Sequence, residues 1–213
     1  MLLIGLETER SVYGIIQCEL TVKEWLERPP SASAVRPSRC PRCQVTSQEP
    51  GRALTIHGHG LVERQQWGPA TANGLPEVGA VVLRRYQCQG CRAVVRVGPL
   101  GLVGHHRYSA AAIAMALCLW LIGGLSQATV RERVGVWFRR SKDADAERRW
   151  RSLSRWWSKV DTGRLWPEFS KHRSVASVIR ALAATSPSHG LGVPLSGLVF
   201  AGAAHRRGGP SMV

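Results

Sequence analysis

The chain has 213 residues, and 29 Lys and Arg against 14 Asp and Glu give it a net charge of +15 at neutral pH. This length suits one sizeable domain or two small ones, and six cysteines are too few for a disulfide-dense secreted scaffold. The charge favours polyanionic partners, with nucleic acid first and an anionic membrane surface second.

Residues 1–39 are predicted to form a small unit of one strand and one helix, followed by a linker. Residues 12–20 are strand-like, and Thr21-Val22-Lys23-Glu24 has the S/T-x-x-E pattern of a helix start. Residues 29–33 end this helix and begin the linker. The first ten residues lack the basic segment of a secretory signal, so we expect a cytoplasmic protein.

Two C-x-x-C pairs dominate residues 40–98. Two thiolates at this spacing can bend around one ion, and a second pair completes a tetrahedral set of sulfur ligands. Short β-branched runs flank both pairs and predict a β zinc ribbon. We expect one structural Zn²⁺, because four thiolates leave no open position for water; a redox pair or unrelated thiols are the alternatives. The expected ligands are Cys40, Cys43, Cys88 and Cys91.

Within the ribbon, residues 53–56 and 61–62 flank His57-Gly58-His59-Gly60 as the strands of a hairpin flank its turn. The two histidines are interpreted as turn residues or phosphate contacts, since four cysteines already complete a zinc shell. Residues 68–79 are loop-like.

Residues 99–160 are predicted to form a helical domain. His105-His106-Arg107, just before it, is interpreted as a phosphate contact or a solvated cluster. Ser109 caps an apolar helix to about Ile122, which is shorter than the ~20 residues that span a bilayer, so we expect a buried helix and no membrane partner. A short helix follows, with Ser126 or Thr129 as its cap and Gly135 as a left-handed end.

A third predicted helix, residues 146–160, separates into two faces. The apolar face carries Trp150, Leu153, Trp157 and Val160, with Trp156 at its edge. The opposite face carries Arg148, Arg151, Arg155 and Lys159. An apolar face that docks on a core, opposite a basic stripe, suits a DNA recognition helix, whereas the alternative is a solvated surface helix.

The C-terminal part shows weaker patterns. Residues 161–186 are predicted to contain one weak helix, at 174–184, and the Gly- and Pro-rich residues 187–213 a disordered tail. The chain has only three Asp residues, at 143, 145 and 161, and neither a Ser-His-Asp arrangement nor a paired-carboxylate site can be argued. We therefore expect a protein that is not an enzyme.

Four features in order resemble one known family: the four-cysteine ribbon, Tyr108-Ser109 at the start of an apolar helix, the segment 124–136, and Arg155-Trp156. They are similar to the zinc-ribbon/helix-turn-helix N-terminal DNA-binding region of insertion-sequence transposases, over about residues 38–160. The full transposases resemble an RNase-H-like fold with three carboxylates and two metal ions, a catalytic domain that we expect to be absent here.

The resulting prediction is an α+β fold, with a small β zinc ribbon followed by a helix-turn-helix-like helical domain. We expect it to bind double-stranded DNA as a transposase-related regulator, acting as a homodimer or a transposase subunit. The predicted DNA contacts are Arg131, Arg148, Arg151, Arg155 and Lys159. Two alternatives remain: a zinc-ribbon adaptor whose Trp-rich third helix docks on another protein, and an enzyme completed by a separate subunit.

Overall fold

The computed structural model describes residues 15–136, 150–172, 174–187 and 192–207. Within these ranges the chain is a mixed α+β fold with a four-stranded sheet and six α-helices. The sheet region comprises β1 (Ile15–Gln17), α1 (Val22–Glu27), β2 (Ile56–Pro69), β3 (Pro76–Cys88) and β4 (Val94–Gly98). The helical region comprises α2 (Ala110–Leu121), α3 (Gln127–Val134), α4 (Ser152–Asp161), a 3₁₀ turn (Pro167–Phe169), α5 (Val175–Ala184) and α6 (Leu195–Ala204).

The sheet has the strand order β1-β4-β3-β2. β2, β3 and β4 are antiparallel neighbours, and β1 pairs parallel with β4. The expected hairpin at residues 57–60 is wrong, because β2 runs straight through it and pairs with β3 on both sides of a bulge between Gly58 and Leu61. Gly60 takes a φ of +88°, which suits the bulge. The reversal lies instead at residues 70–75, inside the expected loop.

The N-terminal segment contributes β1 to this sheet and packs α1 against it. The capping box at Thr21 is confirmed, since its side chain accepts from the Glu24 backbone and the Glu24 carboxylate accepts from the Thr21 backbone. Trp25 is buried, and its Nε1 donates to the Val82 carbonyl at 2.9 Å. The expected linker is tied to β3, since Tyr86 Oη donates to the Ala32 carbonyl at 2.7 Å.

The helical core is centred on α2, which begins at the predicted Ser109 cap and is buried from Ala110 to Cys118. No helix in the described ranges has both the length and the apolar character needed to cross a membrane. The weak helix predicted at 174–184 is present as α5, which begins after Ser174 at its N-cap and buries Val175, Val178, Ile179 and Leu182.

The prediction of a disordered tail is wrong for residues 195–204, which form α6 and pack against α2 and α5. A Cβ placed on Gly202 would lie only 1.9 Å from the Leu182 carbonyl oxygen. Glycine, which together with proline suggested a loose tail from sequence, here allows close helix packing.

The third predicted helix is shorter than expected, and it is rotated about its own axis, so that a different face is buried. α4 begins at Ser152 after Arg151 at the N-cap, and the predicted residues 146–149 lie outside the described ranges. Trp156 is 2% exposed, whereas Trp157, expected on the apolar face, is 40% exposed. The reason is a specific contact: Tyr108 meets the Trp156 ring edge to face at 4.9 Å.

The end of α3 also differs from its prediction. Ser126 is the cap, but Gly135 has a φ of −87° and is not left-handed. Glycine is needed there for space, since a Cβ would lie 2.6 Å from the Arg131 carbonyl oxygen.

Candidate metal centre and basic cleft

The four predicted cysteines converge, although 45 to 51 positions separate those that are nearest in space. Their sulfur atoms all lie within 4.8 Å of one another. The Sγ atoms of Cys40 and Cys91 are 3.6 Å apart, as are those of Cys43 and Cys88. A tetrahedral zinc with Zn–S bonds of about 2.3 Å would place its sulfurs about 3.8 Å apart. The cluster can therefore hold one tetrahedrally coordinated metal ion.

Each cysteine pair is held by the same backbone turn. The Gln44 N–H donates to the Cys40 carbonyl at 2.9 Å, and the Arg92 N–H donates to the Cys88 carbonyl at 2.9 Å. Gln44 and Arg92 have φ values of +59° and +60°, a region that L residues other than glycine enter at a cost. These side chains do not prevent the turn, and both pairs present their sulfurs to the same point.

The environment of the thiols differs within the cluster. The pKa of the exposed Cys43 thiol is lowered to about 7, chiefly because the Val45 backbone N–H donates to its sulfur. Burial raises the pKa of Cys40, and it raises that of Cys91 to about 12. Because metal ligands are thiolates, binding an ion at this site releases protons.

A second candidate site is a cleft of about 750 Å³ where the segment before α2 meets α4. Its cations come from three stretches of chain: Arg107 before α2, Arg155 and Lys159 on α4, and Arg164 after α4. No Asp or Glu is among the residues that line this cleft, and these four cations take no part in the ion pairs of the described residues. We name this site the basic cleft. Its lining is Trp67, His105, His106, Arg107, Tyr108, Ser152, Ser154, Arg155, Trp156, Ser158, Lys159 and Arg164.

Lys159 and His106 form the inner contact of the basic cleft, with Nζ 2.5 Å from Nε2. The pKa of His106 is lowered to about 4, first by burial and then by the charges of Lys159, Arg64 and His105. The imidazole is therefore neutral at pH 7, and its Nε2 accepts a hydrogen bond from the ammonium group. The hydrogen bond thus holds the Lys159 ammonium group in place, and no carboxylate in the lining of the cleft neutralises its charge.

Aromatic rings fix the two walls of the basic cleft relative to each other. Trp67 of β2 meets Tyr108 edge to face at 5.6 Å, and Tyr108 meets Trp156 of α4 in the same way. The guanidinium of Arg107 lies 4.8 Å from the centre of the Trp67 ring, a cation–π contact. The sheet and α4 are therefore joined through one continuous aromatic contact.

The predicted DNA contacts fall in different places. Arg155 and Lys159 line the basic cleft, whereas Arg151 is exposed at the N-cap of α4 and does not line it. Arg131 is half-buried on α3, near enough to Tyr108 for its charge to lower that phenol's pKa against the larger effect of burial, which raises it. Arg148 lies outside the described residues.

Sequence reasoning missed Arg164 and Trp67. Arg164 lies just after the end of α4, outside the predicted helix. Trp67 directly precedes the residues 68–79 that were predicted to be a loop, so no local pattern distinguished either residue.

No family model matches the chain, and comparisons with curated proteins and with solved structures return no match. Function is therefore argued from the metal centre and the basic cleft.

Proposed function

We propose that this protein binds double-stranded DNA through the basic cleft, as a non-enzymatic module stabilised by one structural Zn²⁺. The observation that carries the proposal is the convergence of four cations on a cleft lined by no carboxylate. Like charges gathered in this way repel one another, and a ligand with regularly spaced phosphates relieves that repulsion. A net charge of +15 adds long-range attraction for the same ligand.

Zinc is the metal that this donor set favours. Four thiolates in a closed tetrahedron are typical of a structural zinc site, and two of the cysteines, Cys40 and Cys88, are buried. Cys88 pairs with Ile56, the first residue of β2, and β2 carries Trp67 into the basic cleft. The ion would therefore stabilise one end of the strand whose other end forms a wall of the cleft.

A duplex fits the basic cleft better than a single strand does. Single-strand binding uses exposed aromatic faces on which bases stack. Here Trp156 is 2% exposed and meets Tyr108 edge to face, and the Trp67 ring faces the Arg107 guanidinium. Because these rings are engaged with one another and with Arg107, the charged groups of the cleft suit contact with the phosphate backbone better than base stacking.

The resemblance to transposase N-terminal regions belongs to this proposal. α2, α3 and α4 follow the sheet and its four cysteines in the expected order. In the proposal α3 and α4 act as a helix-turn-helix-like pair, with Arg155 and Lys159 of α4 directed at the DNA backbone. The protein would act in the cytoplasm as a transposase-related regulator, alone, as a homodimer, or as a transposase subunit.

Fluorescence anisotropy with a labelled mixed-sequence duplex tests this function. Four phosphate contacts predict that affinity falls about 10²-fold between 50 and 200 mM salt, since each contact adds about 0.9 to the log–log slope. The double variant Arg155→Ala, Lys159→Met should bind more weakly at low salt and lose about two units of slope. The matched control is Arg180→Ala, Lys171→Met, which removes the same charges from exposed positions outside the cleft. Salt-independent binding, or equal losses in both double variants, would refute the proposal.

A protein–protein adaptor is the second candidate, and the exposed ring of Trp157 on α4 is the observation that favours it. In that case Trp157→Ala should abolish binding to a protein partner in a folded chain, whereas charge reversal at Arg151 and Arg155 should do little. In the DNA-binding protein the order of these effects is reversed, so one pair of variants distinguishes the two functions.

A further inference from the structure

A second basic cleft, of about 370 Å³, lies on the sheet side of residues 104–107. Its cations are Arg64 of β2, Arg96 of β4 and the shared Arg107, and Glu63 is the single carboxylate in its lining. Its apolar lining comes from Ile15, Val62 and Leu83. His105, His106 and Arg107 line this cleft as well as the basic cleft. Residues 104–107 therefore form a ridge with cations on both sides, and we name it the ridge.

The ridge is a turn that the sheet holds in a fixed shape. The His106 N–H donates to the Val103 carbonyl at 3.2 Å, and the Trp67 N–H donates to the Arg107 carbonyl at 2.7 Å. The guanidinium of Arg64, from β2 of the sheet, donates to the carbonyls of Val103 and His106. The turn is thus organised before any ligand binds.

The crest of the ridge is backbone-strained. His105 is exposed and has a φ of +60° at the third position of the turn, where glycine or asparagine is usual. The left-handed conformation costs an ordinary residue about 1–2 kcal/mol. Strain of this kind persists where the surrounding structure imposes it, and it is frequent at ligand-binding positions. Here it directs an imidazole outward between two basic clefts.

The arrangement of these features, one turn of chain between two groups of cations, suits one groove of DNA. The minor groove of B-form DNA is about 6 Å wide and is bounded by two phosphate backbones, whereas the major groove, about 12 Å wide, admits a whole helix. A single turn of chain with cations on both sides fits the narrower groove. Narrow A·T-rich minor grooves have the strongest negative potential and attract inserted Arg, Lys and His side chains.

We propose that the ridge enters the DNA minor groove with His105 foremost, that the two backbones lie in the two clefts, and that the protein prefers A·T-rich sites. This proposal rests on the DNA binding proposed above and adds how the duplex is recognised. Arg155 and Lys159 then contact the backbone on one side of the groove, and the exposed Arg96 contacts it on the other.

Three duplexes with identical flanks test the proposal, with central A·T, G·C or I·C pairs. Inosine lacks the 2-amino group of guanine, so an I·C pair presents an A·T-like minor groove and a G·C-like major groove. We expect A·T and I·C duplexes to bind about tenfold more tightly than the G·C duplex, since one good base contact contributes about 1–3 kcal/mol. Equal affinity for all three, or I·C binding like G·C, would overturn minor-groove recognition while leaving DNA binding intact.

One variant pair completes the test. His105→Gly removes the imidazole and suits the positive φ, so it should fold and lose most of the A·T preference while keeping its salt slope. His59→Ala, at an exposed position on β2 outside both clefts, should keep the preference. Retention of the preference by His105→Gly would overturn the role of the ridge. If the wild-type chain binds none of the duplexes at 50 mM salt, the proposed function itself fails.

Discussion

Lys159 on α4 and His106 in the turn before α2 are joined by a hydrogen bond of 2.5 Å between Nζ and Nε2. The contact bridges 53 positions of the sequence and connects the helical region to the ridge on the sheet. A neutral imidazole accepts the bond, because burial and three neighbouring positive groups lower the pKa of His106 to about 4. The charge of Lys159 therefore stays available to an anionic ligand.

Removing the Lys159 charge should raise the pKa of His106. Lys159→Met eliminates the largest charge effect on that imidazole, while burial and Arg64 still hold the pKa below the ordinary 6.5. Histidine ring signals followed by NMR from pH 3 to 8 measure the change. Lys171→Met serves as the control, since this exposed lysine does not line the basic cleft. An unchanged His106 titration in Lys159→Met would contradict the contact.

The same group should make stability depend on pH. Because the folded pKa of His106 is about 4 and the unfolded value about 6.5, the unfolded chain binds an extra proton between these values. Its stabilising contribution is present above pH 6.5 and is lost as the pH falls towards 4. Between pH 7 and pH 4.5 we expect the free energy of unfolding in urea to fall by about 1–2 kcal/mol less for His106→Gln than for the wild type, since solvent partly screens this half-buried imidazole. Parallel curves for the two proteins would show that His106 does not titrate in this way.

Metal content should follow the four-cysteine cluster. The purified chain is expected to contain about one zinc per molecule, and Cys88→Ser to contain almost none, because three thiolates no longer close the tetrahedron. Cys118→Ala is the matched control, since Cys118 is buried in α2 and lies outside the cluster. Elemental analysis measures the zinc content. Removing the zinc with a chelator should also reduce binding to the DNA duplex. Equal zinc in both variants would exclude the assigned ligands.

The packing of α6 can be tested with two identical substitutions. Gly202→Ala should destabilise the protein by more than about 2 kcal/mol, because the new Cβ would lie 1.9 Å from the Leu182 carbonyl oxygen, and backbone must move. Gly197→Ala, in the same helix, meets no backbone, only the side chains of Val193, Pro194 and Ala72 at 3.2, 3.7 and 3.8 Å, and should change stability by less than about 1 kcal/mol. Thermal unfolding measures the change in stability of each variant. Similar effects would mean that α6 does not pack as described.

The two neighbouring tryptophans of α4 should differ sharply in stability measurements. Trp156→Ala removes a ring that is 2% exposed and should cost about 3–5 kcal/mol. Trp157→Ala removes a ring that is 40% exposed and should cost less than about 1 kcal/mol. Urea unfolding of both variants decides the matter. A larger loss for Trp157 would restore the helix orientation expected from sequence.

Local features were predictable where neighbouring residues determine them. The caps at Thr21 and Ser109 are confirmed, because each capping side chain bonds to a backbone N–H within three residues of itself. The convergence of the four cysteines is also confirmed. Within each pair the C-x-x-C spacing favours a turn that presents two sulfurs together, and two such pairs complete a tetrahedral site.

Errors arose where distant contacts outweigh local pattern. The glycines near His57 suggested a turn, but pairing with β3 along its length makes the segment a bulged strand. Gly202 suggested a loose tail, but the Leu182 backbone occupies the space that its missing side chain leaves. Helical periodicity alone placed Trp157 inside, but the contact between Tyr108 and Trp156 sets the rotation of α4.

The amino-acid sequence by itself determined the two cysteine pairs, the caps at Thr21 and Ser109 and the positive charge, because these depend on residue type and on spacings of a few positions. Only the tertiary structure decided which cations share a cleft. Arg64, Arg107, Lys159 and Arg164 come from four separate segments, and the packing of α4 against Tyr108, which itself contacts Trp67 of β2, brings them around one ridge. The free energy of such packing depends on complementary shapes across the whole fold, which short sequence patterns do not contain.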